Sequence, residues 1–285
     1  MKLNITNLTK KYGDLTALDS FTYEFTAGVY GLLGPNGAGK STLMNVITDN
    51  LKATSGEVRF DGVSTTEMGA GFRKILGFMP QQQGLYPNFT LERFLYYMSA
   101  LKGMKKQDAA SDIERLLNLV NLQEHRNKKL GGFSGGMKQR ALIAQAMLGD
   151  PKVIILDEPT AGLDPKERIR IRNLIAEIAF DKIVIIATHV VSDIEFIAKE
   201  VLLLKKGKII DSGKPHELCE KIIGKVFEIT TSEDKLSEIS NKYKVGNISK
   251  DEEKIYVRVI SESTPEYEYV TCKPDIEDLY LYYFD

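Results

Sequence analysis

No run of apolar residues in this chain approaches the roughly 18 that a membrane-crossing helix needs, so work at a membrane would rely on another chain to span it. The opening Met1-Lys2-Leu3-Asn4-Ile5 does not read as a secretion signal. Cysteine is scarce. Cys219 and Cys272, without metal-ligand spacing, read as small apolar filler in a reducing cytosol. Charge of one sign is not in excess: Lys and Arg number 38 against 39 Asp and Glu, a net charge of −1, which gives no reason to expect nucleic acid as a partner. Of the three histidines, His125 and His216 lie in no context that assigns them a role. At 43% hydrophobic and 27% charged residues, the composition is that of an ordinary globular protein. A length of 285 residues suffices for one large domain, or a large one with a small companion.

What the chain does contain is Gly34-Pro35-Asn36-Gly37-Ala38-Gly39-Lys40-Ser41-Thr42, between the apolar run Val29–Leu33 and the helix-compatible Leu43-Met44-Asn45-Val46-Ile47. Strand, glycine-rich loop and helix, with G-x-x-x-x-G-K-S at the bend, form the phosphate-loop pattern. Glycines let the loop turn its N–H groups inward, and the positive end of the following helix completes an anion cradle. Lys40 would reach the β- and γ-phosphates, and Ser41 would give an oxygen to Mg²⁺. The chain is therefore expected to bind a nucleoside triphosphate.

Upstream, residues 3–8 alternate as a half-buried strand, Lys10–Asp14 reads as a turn, and Phe21–Phe25 alternate again, a β-meander leading into the loop. Tyr12 either caps a sheet edge or stacks on a purine. Stacking on an aromatic ring supports affinity by roughly 1–3 kcal/mol without choosing ATP over GTP. Downstream, Gly56–Gly62 ends as a strand in an Asp-Gly turn, and Ile75–Met79 is a buried strand running into Pro80-Gln81. The period then changes. Leu91, Phe94, Leu95, Met98 and Leu101, then Ile113, Leu116, Leu117 and Val120, mark two amphipathic helices, a helical insert whose stripe serves packing and whose surface could seat a partner.

Phe133-Ser134-Gly135-Gly136-Met137 opens a further helix, with Ser134 as N-cap and the glycines exposing the first N–H groups. A second anion site at a helix N-terminus exceeds what one triphosphate needs from one protomer. This stretch resembles the signature of ABC transporter ATPase domains, with Phe133 where Leu is more usual. With the phosphate loop, the resemblance covers about residues 1–218. It implies a P-loop NTPase (RecA-like) α/β core with an antiparallel β subdomain and a helical signature subdomain, the insert spanning about 84–150. It also implies a head-to-tail dimer, in which each ATP lies between one chain's phosphate loop and the other's Ser134, Gly135 and Gly136. The apolar Phe133 exchange leaves those residues in place.

Val153-Ile154-Ile155-Leu156 is the all-apolar strand expected where both sheet faces are covered, and it ends in Asp157-Glu158 at the end where such sheets bind ligands. Asp157 fits the Mg²⁺-associated carboxylate, and Glu158 the general base that polarises the attacking water. Asp164 before Pro165 is a sound N-cap with a first-turn proline. The resemblance also makes it the D-loop aspartate facing the opposite subunit, and both readings stand. By the same resemblance, His189, after the buried strand Lys182–Thr188, is the switch histidine at the γ-phosphate. Gln81 is the Q-loop glutamine near Mg²⁺ and water, with Gln82 and Gln83 leaving that assignment uncertain by one residue.

Two final strands, 201–204 and 208–213, and a helix from Pro215 to Ile223 close the first domain. Residues 224–285 then read as a small α+β accessory domain: strand 226–231, helix 233–242, strands 244–249, 254–260 and 267–272, helix 275–283. Ile255, Val257 and Val259 share one face. At about 60 residues such a unit is marginal alone, so it is expected to lean on the main domain or on its own copy. Its end, Pro274–Tyr280, resembles more weakly the ATPase subunits of bacterial drug- and antibiotic-type exporters.

The resemblance thus implies a Mg²⁺-dependent ATP hydrolase, cytoplasmic and peripheral on the inner face of the cell membrane. It would drive a separately encoded integral-membrane permease, as a homodimer or with a paralogous ATPase. Two other readings compete. Soluble family members acting on DNA or ribosomes carry long coiled coils or a second cassette, for which residues 83–133 leave no room. An ATP-gated regulator or scaffold would act through the C-terminal domain.

Overall fold

The computed structural model describes residues 1–81, 84–251 and 254–285. In chain order the elements are β1 (Leu3–Tyr12), β2 (Leu15–Phe25), β3 (Gly28–Leu33), α1 (Lys40–Ile47), β4 (Ser55–Phe60), β5 (Val63–Ser64), α2 (Thr65–Met68), α3 (Ala70–Ile75) and β6 (Leu76–Met79). Then follow α4 (Leu91–Leu101), α5 (Lys106–Leu119), α6 (Gly135–Ala146), β7 (Val153–Asp157), α7 (Pro165–Ile178), β8 (Ile183–Ala187) and α8 (Val191–Glu195). The chain ends with β9 (Glu200–Lys205), β10 (Lys208–Gly213), α9 (Pro215–Glu220), β11 (Val226–Thr231), α10 (Leu236–Lys242), β12 (Lys244–Asp251), β13 (Lys254–Ile260), β14 (Tyr269–Thr271) and α11 (Ile276–Phe284).

Three sheets result. The central one has the order β10-β9-β3-β8-β7-β6, parallel throughout except for β10, which returns antiparallel to β9. Its middle strands are apolar on both faces because both faces are covered. Ile154, Leu156, Val184 and Ile186 point into the core that contains the helices of residues 91–178. Their neighbours Val153, Ile155, Ile183 and Ile185 point into a second core with α1 and the antiparallel sheet β2-β1-β4-β5. Period-two alternation inside an all-apolar run therefore feeds two cores at once.

The N-terminal meander is a correction. β1 and β2 pair antiparallel, but β3 leaves them for the parallel sheet, and β1 takes β4 as its other neighbour. The reason is burial: Val29 to Leu33 are buried without a break, which suits a central parallel strand, whereas β1 and β2 have exposed positions throughout. The turn is also shorter than residues 10–14 suggested. β1 runs through Tyr12 because Lys10, Lys11 and Tyr12 pair with Leu18, Thr16 and Leu15, leaving Gly13 and Asp14 as the turn. The short helices α2, α3 and α8 have no counterpart in the sequence reading, being too brief for a helical period to show.

The C-terminal sheet has the order β12-β13-β11-β14 and is antiparallel. Ile255, Val257 and Val259 join Phe227, Ile229 and Ile239 in a small core of their own. Val226, Ile260, Ile276 and Leu279 instead belong to the core of the helices, so this unit rests on the rest of the chain. On the other face Arg258 grips Asp278 of α11 with two bonds, Nε at 2.9 Å and Nη2 at 2.6 Å. The segment 233–242 is a 3-10 turn over 233–235 followed by α10. Helix α11 starts in a capping box at Asp275, and its last carbonyls accept from Lys205 and Lys244.

Candidate nucleotide site

The carboxyl ends of β3, β8, β7 and β6 lie side by side, because those strands are neighbours in the sheet. Each is followed by a segment singled out above: the phosphate loop, His189, Asp157-Glu158 and Gln81. A cleft of about 580 Å³ is lined by Tyr12, Asn36, Gly37, Ala38, Gly39, Lys40, Ser41, Thr42, Gln81, Asp157 and Glu158, together with Leu15, Thr16, Ala17 and Lys206. Gln82 and Gln83 lie outside the described residues.

The loop turns sharply onto α1. Gly39 has φ 106°, and a Cβ there would stand 2.6 Å from the Ala17 carbonyl oxygen, so the position needs glycine twice over. Lys40 curls back, its Nζ donating to the carbonyl oxygens of Gly34 at 2.6 Å and Pro35 at 3.2 Å. Burial lowers its pKa, and the nearby Glu158 and Asp157 charges oppose that shift. Asp157 shows the converse. Burial and the neighbouring Glu158 push its carboxyl up to about 6, with Lys40 pulling the other way. Negative potential thus accumulates where the strand ends, a demand that a bound cation would meet.

Glu158 is buried and sits in the left-handed region at φ 53°, uncommon for a non-glycine residue. The turn is held because its own N–H donates to Ala187 O at 2.8 Å, and its carbonyl accepts from Gln139 Nε2 at 3.3 Å. Its carboxylate is gripped by the segment after β8: His189 N–H donates at 3.0 Å, Thr188 Oγ1 at 3.2 Å, and His189 Nδ1 lies 2.8 Å away. Such a conformation persists where the surroundings over-determine it, as these contacts do here.

Ser134 and Asp164 line no part of this cleft. Ser134 caps α6, accepting from Met137 N–H at 3.3 Å, and Asp164 caps α7, accepting from Glu167 N–H at 3.0 Å. The two caps are linked. Arg140 of α6 approaches Glu167 of α7 at 3.4 Å, and a Cβ on Gly136 would meet Glu167 Oε2 at 2.5 Å. Gly136 therefore permits α7's carboxylate to lie across the start of α6. Thr188 and Glu167 escaped the sequence reading because their contacts cross 30 and 27 residues respectively, a separation at which no local pattern exists. Tyr12, singled out in the sequence, does line the cleft's outer wall, beside the exposed Leu15.

The oxygen donors fit a hard divalent cation. Ser41, Gln81 and Asp157 share the cleft, and among the described residues no cluster of three His, Cys, Asp or Glu exists that could cage a metal by protein alone. Such a donor set would suit Mg²⁺ shared with substrate phosphates.

Comparison with known proteins now bears on the fold and the cleft. A sequence-family profile described as ABC transporter matches residues 19–161. The chain is 34% identical over 232 residues to an uncharacterized ABC transporter ATP-binding protein, YxlF, of Bacillus subtilis (strain 168), covering 81% of this chain and 77% of that one. It is also 34% identical to the Nod factor export ATP-binding protein I of Burkholderia orbicola (strain AU 1054), covering 78% and 74%. Among solved structures, the dimeric MJ0796, a bacterial ABC transporter cassette, superposes with a TM-score of 0.66 at 28% identity, covering 74% of this chain and 98% of that one. The same cassette in a post-hydrolysis state bound to ADP and Pi gives 0.65 at 28% identity, with the same coverage. Fold, cleft and kinship converge: this chain belongs to the ABC transporter family, as an ATP-binding cassette that hydrolyses ATP.

Proposed function

We propose that the cleft holds ATP with Mg²⁺ and that two cassettes close over it head to tail to drive a separate membrane permease. Tyr12 stacks on the base, the N–H groups of Gly34 and Asn36 through Ser41 cradle the phosphates, and Thr42 lines the same cradle. Lys40 exchanges its two loop carbonyls for β- and γ-phosphate oxygens. Ser41, Gln81 and Asp157 would hold Mg²⁺, which neutralises charge on those oxygens. Glu158 positions the attacking water and takes its proton as the γ-phosphorus–oxygen bond to the β-phosphate breaks, yielding ADP and phosphate. His189 now holds the Glu158 carboxylate. When its ring turns to the γ-phosphate it gives up the Nδ1 contact with Oε2, while the His189 N–H and Thr188 Oγ1 keep the carboxylate in position, so substrate arrival opens one oxygen of the base to water.

The observation that carries the dimer is the separation of the caps. Ser134, Gly135, Gly136 and Asp164 present helix N-termini with no part in their own chain's cleft, and their linkage through Glu167 would let both reach the partner's ATP as one body. We place the cassette at the inner face of the cell membrane, beside an integral-membrane chain, from its kinship with ABC transporter ATP-binding proteins. Export is the direction we infer, from the Nod factor export relatives. The decisive experiment is sedimentation of Glu158→Gln with Mg-ATP. The expected result is a nucleotide-dependent dimer. A strictly monomeric species, even with its membrane partner supplied, would overturn the reading.

A further inference from the structure

A second cleft, of about 700 Å³, lies between the end of α8, the length of α9 and the Lys273-Pro274 approach to α11, and shares no lining residue with the phosphate-loop cleft. That volume suits a small organic molecule. Phe196, Ala198, Pro215, Cys219, Ile223 and Pro274 give it an apolar lining. Two of these are anomalous. Phe196 is 71% exposed and Ile223 64% exposed, large apolar side chains left in solvent at one mouth. Phe196 is held there by the Arg172 guanidinium, 4.7 Å from its ring centroid, so the surface is formed in advance.

One polar group in the wall has an unmet demand. Glu195 is half-buried, and among the described residues no donor bonds its carboxylate and no cation pairs with it. Burial, together with Asp275, Glu277 and Asp278 nearby, raises its pKa, with the Lys273 ammonium opposing that shift without pairing with it. The other charges around the cleft are already satisfied. Lys199 Nζ donates to Thr26 Oγ1 at 2.6 Å and Ala27 O at 3.2 Å, and Lys214 pairs with Glu217 at 2.8 Å. Asp275 and Asp278 face Arg258. Lys273, Glu220 and His216 are exposed, so water satisfies them. A carboxylate taken partly out of water without a partner is unfavourable, and an incoming ammonium would relieve it.

We propose that this cleft binds an apolar organic cation, its hydrophobic body against Phe196 and Ile223 and its protonated amine on Glu195. The site is independent of the nucleotide reading above. Because α8 begins two residues after His189, an occupant would lie against the far end of the segment that carries the switch histidine.

The test uses the full chain and three probes with one apolar body: 4-phenylbutylamine, 4-phenylbutanol and 4-phenylbutyrate, titrated by calorimetry and ligand-observed NMR. The expected order is amine tightest, by at least about tenfold over the other two. Glu195→Gln should remove that preference, and Lys273→Ala, an exposed change that leaves the fold alone, should tighten the amine. Tighter binding of the butyrate would overturn the proposal, as would an amine affinity that both variants leave unchanged. So would absence of binding by all three probes up to about 10 mM.

Discussion

The mostly parallel six-stranded sheet and the C-terminal four-stranded sheet are built from the same β-branched residues, yet only the first carries the nucleotide cleft at its strand ends. In the parallel sheet β7 and β8 are covered on both faces, so polar groups have no place along the strands and gather at their carboxyl ends. In the C-terminal sheet β12 is exposed over most of its length and β14 throughout, so polar groups spread along strands that water can reach. Burial on two faces concentrates function at an edge. Burial on one face spreads polarity over a surface; the unit rests on the main core through Val226, Ile260, Ile276 and Leu279, and the Arg258–Asp278 pair ties α11 to β13 within it.

The comparison breaks most sharply at Glu158. Glu158→Gln is expected to keep ATP binding while steady-state hydrolysis falls at least tenfold, within the roughly 10²–10⁴ that a positioned base contributes. Unimpaired turnover would remove Glu158 from the role. Next, one deletion made in both sheets sharpens the contrast. Ile185→Ala and Ile229→Ala each empty a fully buried position, at about 2–5 kcal/mol. Calorimetry should show the Ile185 variant melting early as a whole with loss of ATPase, and the Ile229 variant loosening the C-terminal unit while ATPase stays within about twofold. A joint loss of ATPase in both would mean that the two sheets form one cooperative unit.

A smaller effect is expected at the Arg258–Asp278 pair. Arg258→Ala leaves Asp278 buried without its cation, at about 3 kcal/mol, and hydrogen exchange should rise in α11 before it rises in the parallel sheet. Smallest is Asp275→Ala, which removes the cap that accepts from Glu277 and Asp278 N–H groups, at about 1 kcal/mol, read as a modest shift in melting temperature.

Much of this was legible beforehand because the governing physics is local. Gly39, Lys40 and Ser41 are consecutive, and the apolar run Val153–Leu156 into Asp157-Glu158 announces a doubly covered strand within six residues. Tail strands 226–231 and 254–260 are found where alternation put them. The N-terminal meander holds for β1 and β2 but not for β3, because which strand lies beside β3 depends on β8 and β9, more than 150 residues away in the chain. The Glu158–Thr188–His189 grip and the Gly136–Glu167 contact were invisible, since each joins strands or helices that are distant in sequence. The apolar cleft at Glu195 was equally hidden, for its walls come from three separate segments.

By itself, then, the sequence determined the loop that meets phosphate, the carboxylates that close a buried strand, and the caps that begin α6 and α7, because each is settled by residues within one turn or one strand. Only the tertiary structure decided that β3 sits between β8 and β9, with β7 next to β8, which brings the loop and the carboxylates, but not the caps, to one cleft. It also decided that Glu158's carboxylate is held by the segment after β8 and that Glu195 has no partner among the described residues. Packing settles these matters, because a side chain's partners depend on which strands lie side by side, and no short stretch of chain encodes that order.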